Sequence, residues 1–223
     1  MGTREQGNAV RPRTRAFVTR LLRWYGRHRR DLPWRRTRDP YRILVSEIML
    51  QQTQVARVAP KYREFLRAYP SLRALANAPV REVREAWYPL GYNIRPLRLH
   101  AIARTAVRRY QGRLPQTAED LLRLKGIGRY TAAALMTFAY GRPQPILDTN
   151  VRRVLRRVFH RDGKVSDRTL WALSACLLPA RRGYDFNQAL MDFGATVCTA
   201  RTPACARCPL RSICTTFPHP AAG

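Results

Sequence analysis

Apolar positions recur at helical spacing along almost the whole chain. Between residues 13 and 30 they fall at Phe17, Leu21, Leu22 and Trp24, and in "PYRILVSEIMLQQTQVARV", residues 40–58, at Ile43, Leu44, Ile48, Val55 and Val58. That period predicts two amphipathic helices. Further helices are expected at 60–69, 79–88, 94–111, 117–124, 129–140, 149–159, 167–178 and 184–196, separated by Pro, Gly or Asn signals. No run alternates in the way a strand requires, so the fold class is all-α. There is no internal repeat or low-complexity stretch, and only the first dozen and the last six residues read as disordered tails.

The 223 residues, 45% of them hydrophobic, suffice for one large or two small domains with an apolar core. Charge changes the picture. Forty-two Lys plus Arg against 14 Asp plus Glu give +28. Lys61, Lys125 and Lys164 are the only lysines, so 39 of the 42 cations are arginines. Arginine forks pair bidentately with phosphate, and such a surplus points to a nucleic acid partner. A proteome that favours arginine explains Arg over Lys but not the shortage of acids. No apolar run approaches a membrane span or a signal-peptide core, which predicts a cytoplasmic, nucleoid-associated protein with no membrane partner.

Within "AEDLLRLKGIGRYTAAALMTFAYG" a short helix ends at Leu124, Lys125-Gly126-Ile127-Gly128 turns, and a second helix starts at Arg129. Glycines let backbone approach a ligand, and the amides opening a helix attract anions. Two glycines between helices are common in any helix-helix turn. On a +28 chain, with Lys125 and Arg129 beside them, a DNA-binding helix-hairpin-helix is the better reading.

Four of five cysteines lie in "CTARTPACARCPLRSIC", as Cys198-x6-Cys205-x2-Cys208-x5-Cys214. Cys176 stands apart in an apolar helical stretch and reads as a small buried hydrophobe. In a reducing compartment clustered thiols bind metal rather than form disulfides. Four thiolates suit a structural zinc or a 4Fe-4S cluster, and the uneven spacing favours wrapping a cluster over two facing zinc knuckles.

This pattern, with the hairpin upstream, resembles the iron-sulfur DNA glycosylases of the endonuclease III and adenine DNA glycosylase group, from Leu32 to Cys214. The resemblance implies a six-helix barrel domain at 37–145 with the helix-hairpin-helix at 117–140. It also implies an iron-sulfur cluster domain at 146–223 with its cluster loop at 198–214, joined by the N-terminal segment 1–36. Cys198, Cys205, Cys208 and Cys214 would ligate the cluster, and the loop would form a basic knob gripping DNA with no redox step.

Base excision needs one group to protonate the leaving base and another to stabilise the oxocarbenium-like sugar. Among fourteen acids, Glu47 in "SEIMLQQTQV" and Asp148 in "PILDTNVRRV" sit in apolar surroundings. Glu47 could instead be an ordinary helix-face carboxylate, and Asp148 an N-cap, a role compatible with catalysis.

"LPWRRTRDPYRILVSEIMLQQTQV" resembles the start of adenine DNA glycosylases, which implies Glu47 as proton donor, Arg35 as an adenine-pocket arginine and Gln52 as a duplex wedge. By the same resemblance Asp148 is the catalytic aspartate and Tyr92 the intercalating tyrosine. Lys125, Gly126, Gly128 and Arg129 would hold phosphate. Tyr130 stands where lyase-capable relatives carry a Schiff-base lysine, which implies a monofunctional hydrolase using water.

Asn93 and Thr149 resemble endonuclease III more than the adenine enzymes, which carry tyrosine and glycine there. By the same resemblance, a chain that ends at Gly223 is expected to lack the C-terminal domain with which full-length adenine glycosylases inspect 8-oxoguanine. The expected partner is double-stranded DNA with a mismatched or damaged base, bound by a monomer. The reaction expected is removal of adenine opposite 8-oxoguanine or guanine. Removal of thymine or uracil opposite guanine is the alternative reaction, and a non-catalytic iron-sulfur DNA-binding module a third reading.

Overall fold

A computed structural model of the chain describes residues 3–161 and 164–218, with side chains from residue 12 onward. Among them are helices and short 3-10 turns and no strand. None of the described helices is long and apolar enough to cross a membrane. The chain divides into two compact units, one built from the residues up to Arg30 together with those from Pro143 onward, the other from Asp31–Arg142.

In the first unit, α1 (Thr3–His28) packs against α11 (Gly183–Thr196), which also packs against α9 (Thr149–Phe159); α10 (Asp167–Leu177) joins α9 and α1. Phe17, Leu21, Phe186 and Phe193 are essentially inaccessible and form the core. Phe17 meets Phe159 edge-on at 5.1 Å and Trp24 meets Phe193 at 5.3 Å. Asp192, fully buried on α11, is neutralised by Arg30 at 2.6 Å.

The second unit holds α2 (Pro40–Leu50), α3 (Val55–Ala68), α4 (Leu72–Asn77), α5 (Val80–Trp87), α6 (Ile94–Tyr110), α7 (Ala118–Leu122) and α8 (Arg129–Phe138). Helix α2 is its centre. Asp39 caps it by accepting the Arg42 N–H at 3.0 Å, Pro40 fixes its first turn, and every residue from Ile43 to Met49 is buried. A helix buried on all sides must be surrounded, and α3, α6 and α8 pack on it. Trp34, in the 3-10 turn Pro33–Arg35, lies edge-on to Tyr62 of α3 at 5.6 Å.

Four expectations change. The continuous helix over 40–58 is broken at Gln51–Gln54, where Gln51 is extended and Gln52 turns to φ 55. The second helix therefore starts at Val55, with Pro60 inside it. Helix α4 was not anticipated; Ser71 starts it by accepting the Ala74 N–H at 3.1 Å. Helix α1 begins at Thr3 rather than after a dozen disordered residues. Cys176 is exposed, not buried: α10 turns Leu170, Ser174 and Leu177 inward and Cys176 falls on its outer face. Of the expected C-terminal tail, residues 219–223 lie outside the described residues.

Candidate functional site

Glu47 is the one ionisable side chain on the buried stretch of α2 from Ile43 to Met49, and is 7% exposed. The other polar side chain there, Ser46, is satisfied within its own turn by donating to the Ile43 carbonyl at 2.8 Å. A carboxyl group buried on an otherwise apolar stretch of helix is a candidate for chemistry, because its charge is costly to remove from water. Arg35, half-buried, closes the 3-10 turn just before α2.

Immediately after α2, Gln52 is exposed and left-handed. Tyr92, in the turn between α5 and α6, has φ 50 and is 57% exposed, with Tyr88 and Ile94 also outside. Three large apolar side chains exposed within seven residues mark a surface that meets something. Both turns belong to the second unit and are brought together by the buried guanidinium of Arg95.

The α7–α8 hairpin has the expected form. Thr117 caps α7 by accepting the Asp120 N–H at 3.2 Å. Gly126 has φ 109, a conformation that strains any side chain, and a Cβ there would lie 3.3 Å from Arg98. Gly128 is different. It caps α8 with an extended backbone, and nothing lies within 4 Å of a Cβ built on it. Its missing side chain leaves the start of α8 open where the helix dipole is positive, without the side-chain cap that Asp39, Ser71, Thr117, Asp148 and Ser166 give other helices. Lys125 and Arg129 are exposed beside it and Tyr130 is half-buried.

Asp148 opens α9 in the first unit, so it and Glu47 stand on different units. Its carboxylate accepts the Val151 N–H at 2.6 Å and the Asn150 side-chain amide at 3.3 Å. Asn150 in turn accepts from Arg153 at 2.8 Å, whose guanidinium also donates to the carbonyls of Gly194 at 2.6 Å and Cys198 at 2.8 Å. The approach is close because Gly194 lacks a side chain; a Cβ there would sit 2.7 Å from that of Asn150. Burial pushes the Asp148 carboxyl above the ordinary aspartate range, opposed by the Val151 and Asn150 hydrogen bonds and by the Arg153 charge.

Cys198, Cys205, Cys208 and Cys214 line one cavity with Val158, Phe193, Val197, Pro203 and Phe217. Arg157, buried on α9, holds the loop between the first two cysteines by donating to the carbonyls of Thr199 at 2.7 Å and Ala200 at 2.9 Å, and reaches the Cys198 sulfur at 3.6 Å. Its own carbonyl accepts from Thr215, Thr216 and the Cys214 thiol. The 3-10 turns Cys205–Arg207 and Arg211–Ile213 place the remaining thiols, and Leu210 is the buried anchor between them.

Burial raises the Cys208 thiol to about 11 and also raises Cys214. Thiols of that kind ionise when iron or another cation takes them as ligands. Among the described residues no three His, Cys, Asp or Glu groups converge as a single ion would need. The four cysteines instead line one cavity, an arrangement that fits an iron-sulfur cluster.

Residues 45–175 match the family model of the HhH-GPD superfamily base excision DNA repair proteins. The chain belongs to that superfamily. Residues 198–214 match the iron-sulfur binding domain of endonuclease III, and the cofactor of this HhH-GPD chain is a 4Fe-4S cluster.

The chain is 47% identical over 193 residues to an adenine DNA glycosylase of Mycolicibacterium smegmatis, covering 85% of this chain and 66% of that one. It is 39% identical over 202 residues to a thymine/uracil-DNA glycosylase of Pyrobaculum aerophilum, covering 87% and 88%. A solved thermostable thymine-DNA glycosylase is 34% identical and superimposes with a TM-score of 0.89, covering 94% and 98%. The chain spans 39% to 66% of the length of the first adenine glycosylases it matches.

Arg95, Asn150, Arg153 and Arg157 were not anticipated as site residues. In a chain with 39 arginines, residue type carries no signal. Spacing does: Asn150, Arg153 and Arg157 recur at intervals of three and four residues on α9, while Val151, Val154, Leu155 and Val158 form its buried face.

Proposed function

We propose that this HhH-GPD chain is a monofunctional DNA glycosylase that acts as a monomer on double-stranded DNA. It extrudes an adenine mispaired with 8-oxoguanine or guanine and hydrolyses its N-glycosidic bond. The observation that carries this reading is the buried acid Glu47 on the apolar helix α2, in a chain 47% identical to an adenine glycosylase.

In this reading the carboxylic acid of Glu47 gives its proton to N7 of the flipped adenine and makes the base a better leaving group. Arg35 contributes to the base pocket. As the glycosidic bond opens, the Asp148 carboxylate stabilises the positive charge developing on the sugar, and water completes the hydrolysis. Asp148 must be ionised for this; the Val151 amide, the Asn150 amide and the Arg153 charge favour that form against its burial. Tyr130 offers no amine for a Schiff base, so the strand is left intact.

Gln52 and Tyr92 fill the space the nucleotide leaves, and Gly126, Gly128, Lys125 and Arg129 hold backbone phosphate. Cys198, Cys205, Cys208 and Cys214 bind the cluster. When bound it supplies four iron-thiolate bonds that tie the loop together, and base excision needs no electron from it.

A second reading, excision of thymine or uracil opposite guanine, is favoured by the similarity to the Pyrobaculum aerophilum protein, 88% of whose length is matched. One experiment separates the two. The purified protein is incubated with duplexes containing A opposite 8-oxoguanine, A opposite G, T opposite G or U opposite G, then treated with alkali. Cleavage of the two adenine duplexes above the others supports the first reading. Cleavage of the T and U duplexes alone supports the second, and cleavage of none leaves a DNA-binding module.

A further inference from the structure

Arg95 lies at the start of α6 and is only 3% exposed. One terminal nitrogen, Nη1, donates to the carbonyls of Ile48 at 3.2 Å, Met49 at 2.8 Å and Gln51. The other, Nη2, donates to the Thr53 hydroxyl at 3.0 Å and to the carbonyls of Leu90 at 3.1 Å and Gly91 at 3.2 Å. The guanidinium lies 5.1 Å from the Tyr92 ring centre and 5.5 Å from that of Trp87.

These acceptors come from two separate turns, one following α2 and one preceding α6. Each turn contains a non-glycine residue with left-handed backbone, Gln52 and Tyr92. The carbonyls that Arg95 takes include the one directly before each: Gln51 before Gln52, and Gly91 before Tyr92. Such conformations persist only where the surroundings over-determine them. Among the described residues this guanidinium has no carboxylate partner; burying its charge is costly, and its acceptors offset that cost.

From this shared grip on the 51–53 and 90–91 turns, we propose that Arg95 is a positioning residue that makes Gln52 and Tyr92 one rigid wedge, entering the duplex together when the target nucleotide is extruded. The proposal rests on the glycosylase reading above. The same guanidinium takes the carbonyls of Ile48 and Met49, which anchors the 51–53 turn to the last turn of α2. Lysine cannot substitute, because its donors radiate from a single nitrogen, whereas the planar fork reaches both turns at once.

The test compares wild type with Arg95→Lys on two duplexes holding the same target pair. One is fully paired around it; the other has mismatched flanking pairs, so the target base is already unstacked. Single-turnover excision by the variant should fall by roughly thirtyfold or more on the paired duplex and stay within about threefold of wild type on the opened one. Amide hydrogen exchange should rise together in 49–54 and 88–93.

Equal losses on the two duplexes, or faster exchange in one turn alone, would overturn the proposal, since a purely structural arginine affects both substrates alike. A wild type inactive on both duplexes would sink the glycosylase reading and leave the exchange result to decide the role of Arg95. Should Arg95→Lys fail to fold, Thr53→Val, which removes one acceptor from one turn, should show the same asymmetry at smaller size; its absence would equally overturn the idea.

Discussion

The Asp148 carboxylate accepts the backbone N–H of Val151 at 2.6 Å, so one side chain both caps α9 and carries the charge assigned to the transition state. The two roles separate by substitution. Asparagine keeps the cap and loses the charge, whereas alanine loses both and costs about 1 kcal/mol of stability through the cap alone.

Burial holds the Asp148 carboxyl above its ordinary value of 3.8 in the folded chain. A raised acid stabilises the fold where it is protonated in both states, below 3.8, and that contribution is lost as pH rises through the folded value. At neutral pH the ionised form is therefore a cost. Asp148→Asn should melt at or above the wild-type temperature at pH 7, the difference closing as pH falls below 3.8, while base excision is lost. A variant melting well below wild type at pH 7 would contradict the burial argument.

Gly128 has open space where a side chain would go. Gly128→Asp should therefore fold normally and lose roughly tenfold in affinity for matched and mismatched duplexes alike, because it puts a negative charge where phosphate approaches. Wild-type affinity should fall steeply with salt. Titration of labelled duplexes checks both; loss of mismatch preference with nonspecific affinity intact would count against the hairpin.

The protein should be brown, absorb broadly near 400 nm and contain about four iron per chain. Cys208→Ser should lose colour and iron. Stoichiometric zinc in anaerobically prepared protein would contradict the assignment.

Helices are legible in this chain because their apolar faces are regular and their ends carry Asp, Ser, Thr, Pro and Gly at the positions that stop or start a helix. The break at Gln51–Gln54 was not legible. Nothing in "LQQTQ" forbids a helix, and Arg95, more than forty residues away in sequence, binds the turn that replaces it. The same holds at the site. Glu47, Asp148 and the four cysteines announce themselves by being rare or out of place, whereas Arg153 and Arg157 are two arginines among 39, marked in the sequence only by their helical spacing, and what they bind emerges when α9 is folded against the cysteine loop.

Tyr130 occupies the second position of α8. Tyr130→Lys should gain strand nicking without alkali, by returning an amine to that position, and borohydride should trap it covalently on DNA. Nicking by the wild type at a comparable rate would show that another amine already serves.

The central claim is that Glu47 supplies the proton for base release, and single-turnover excision by Glu47→Gln on the preferred duplex tests it most directly. The amide keeps the shape of the buried side chain and has no acidic proton to give. Excision should fall by about a thousandfold or more while duplex affinity stays within about twofold of wild type. A rate within about threefold of wild type, less than roughly 1 kcal/mol in the barrier, would show that the proton comes from elsewhere.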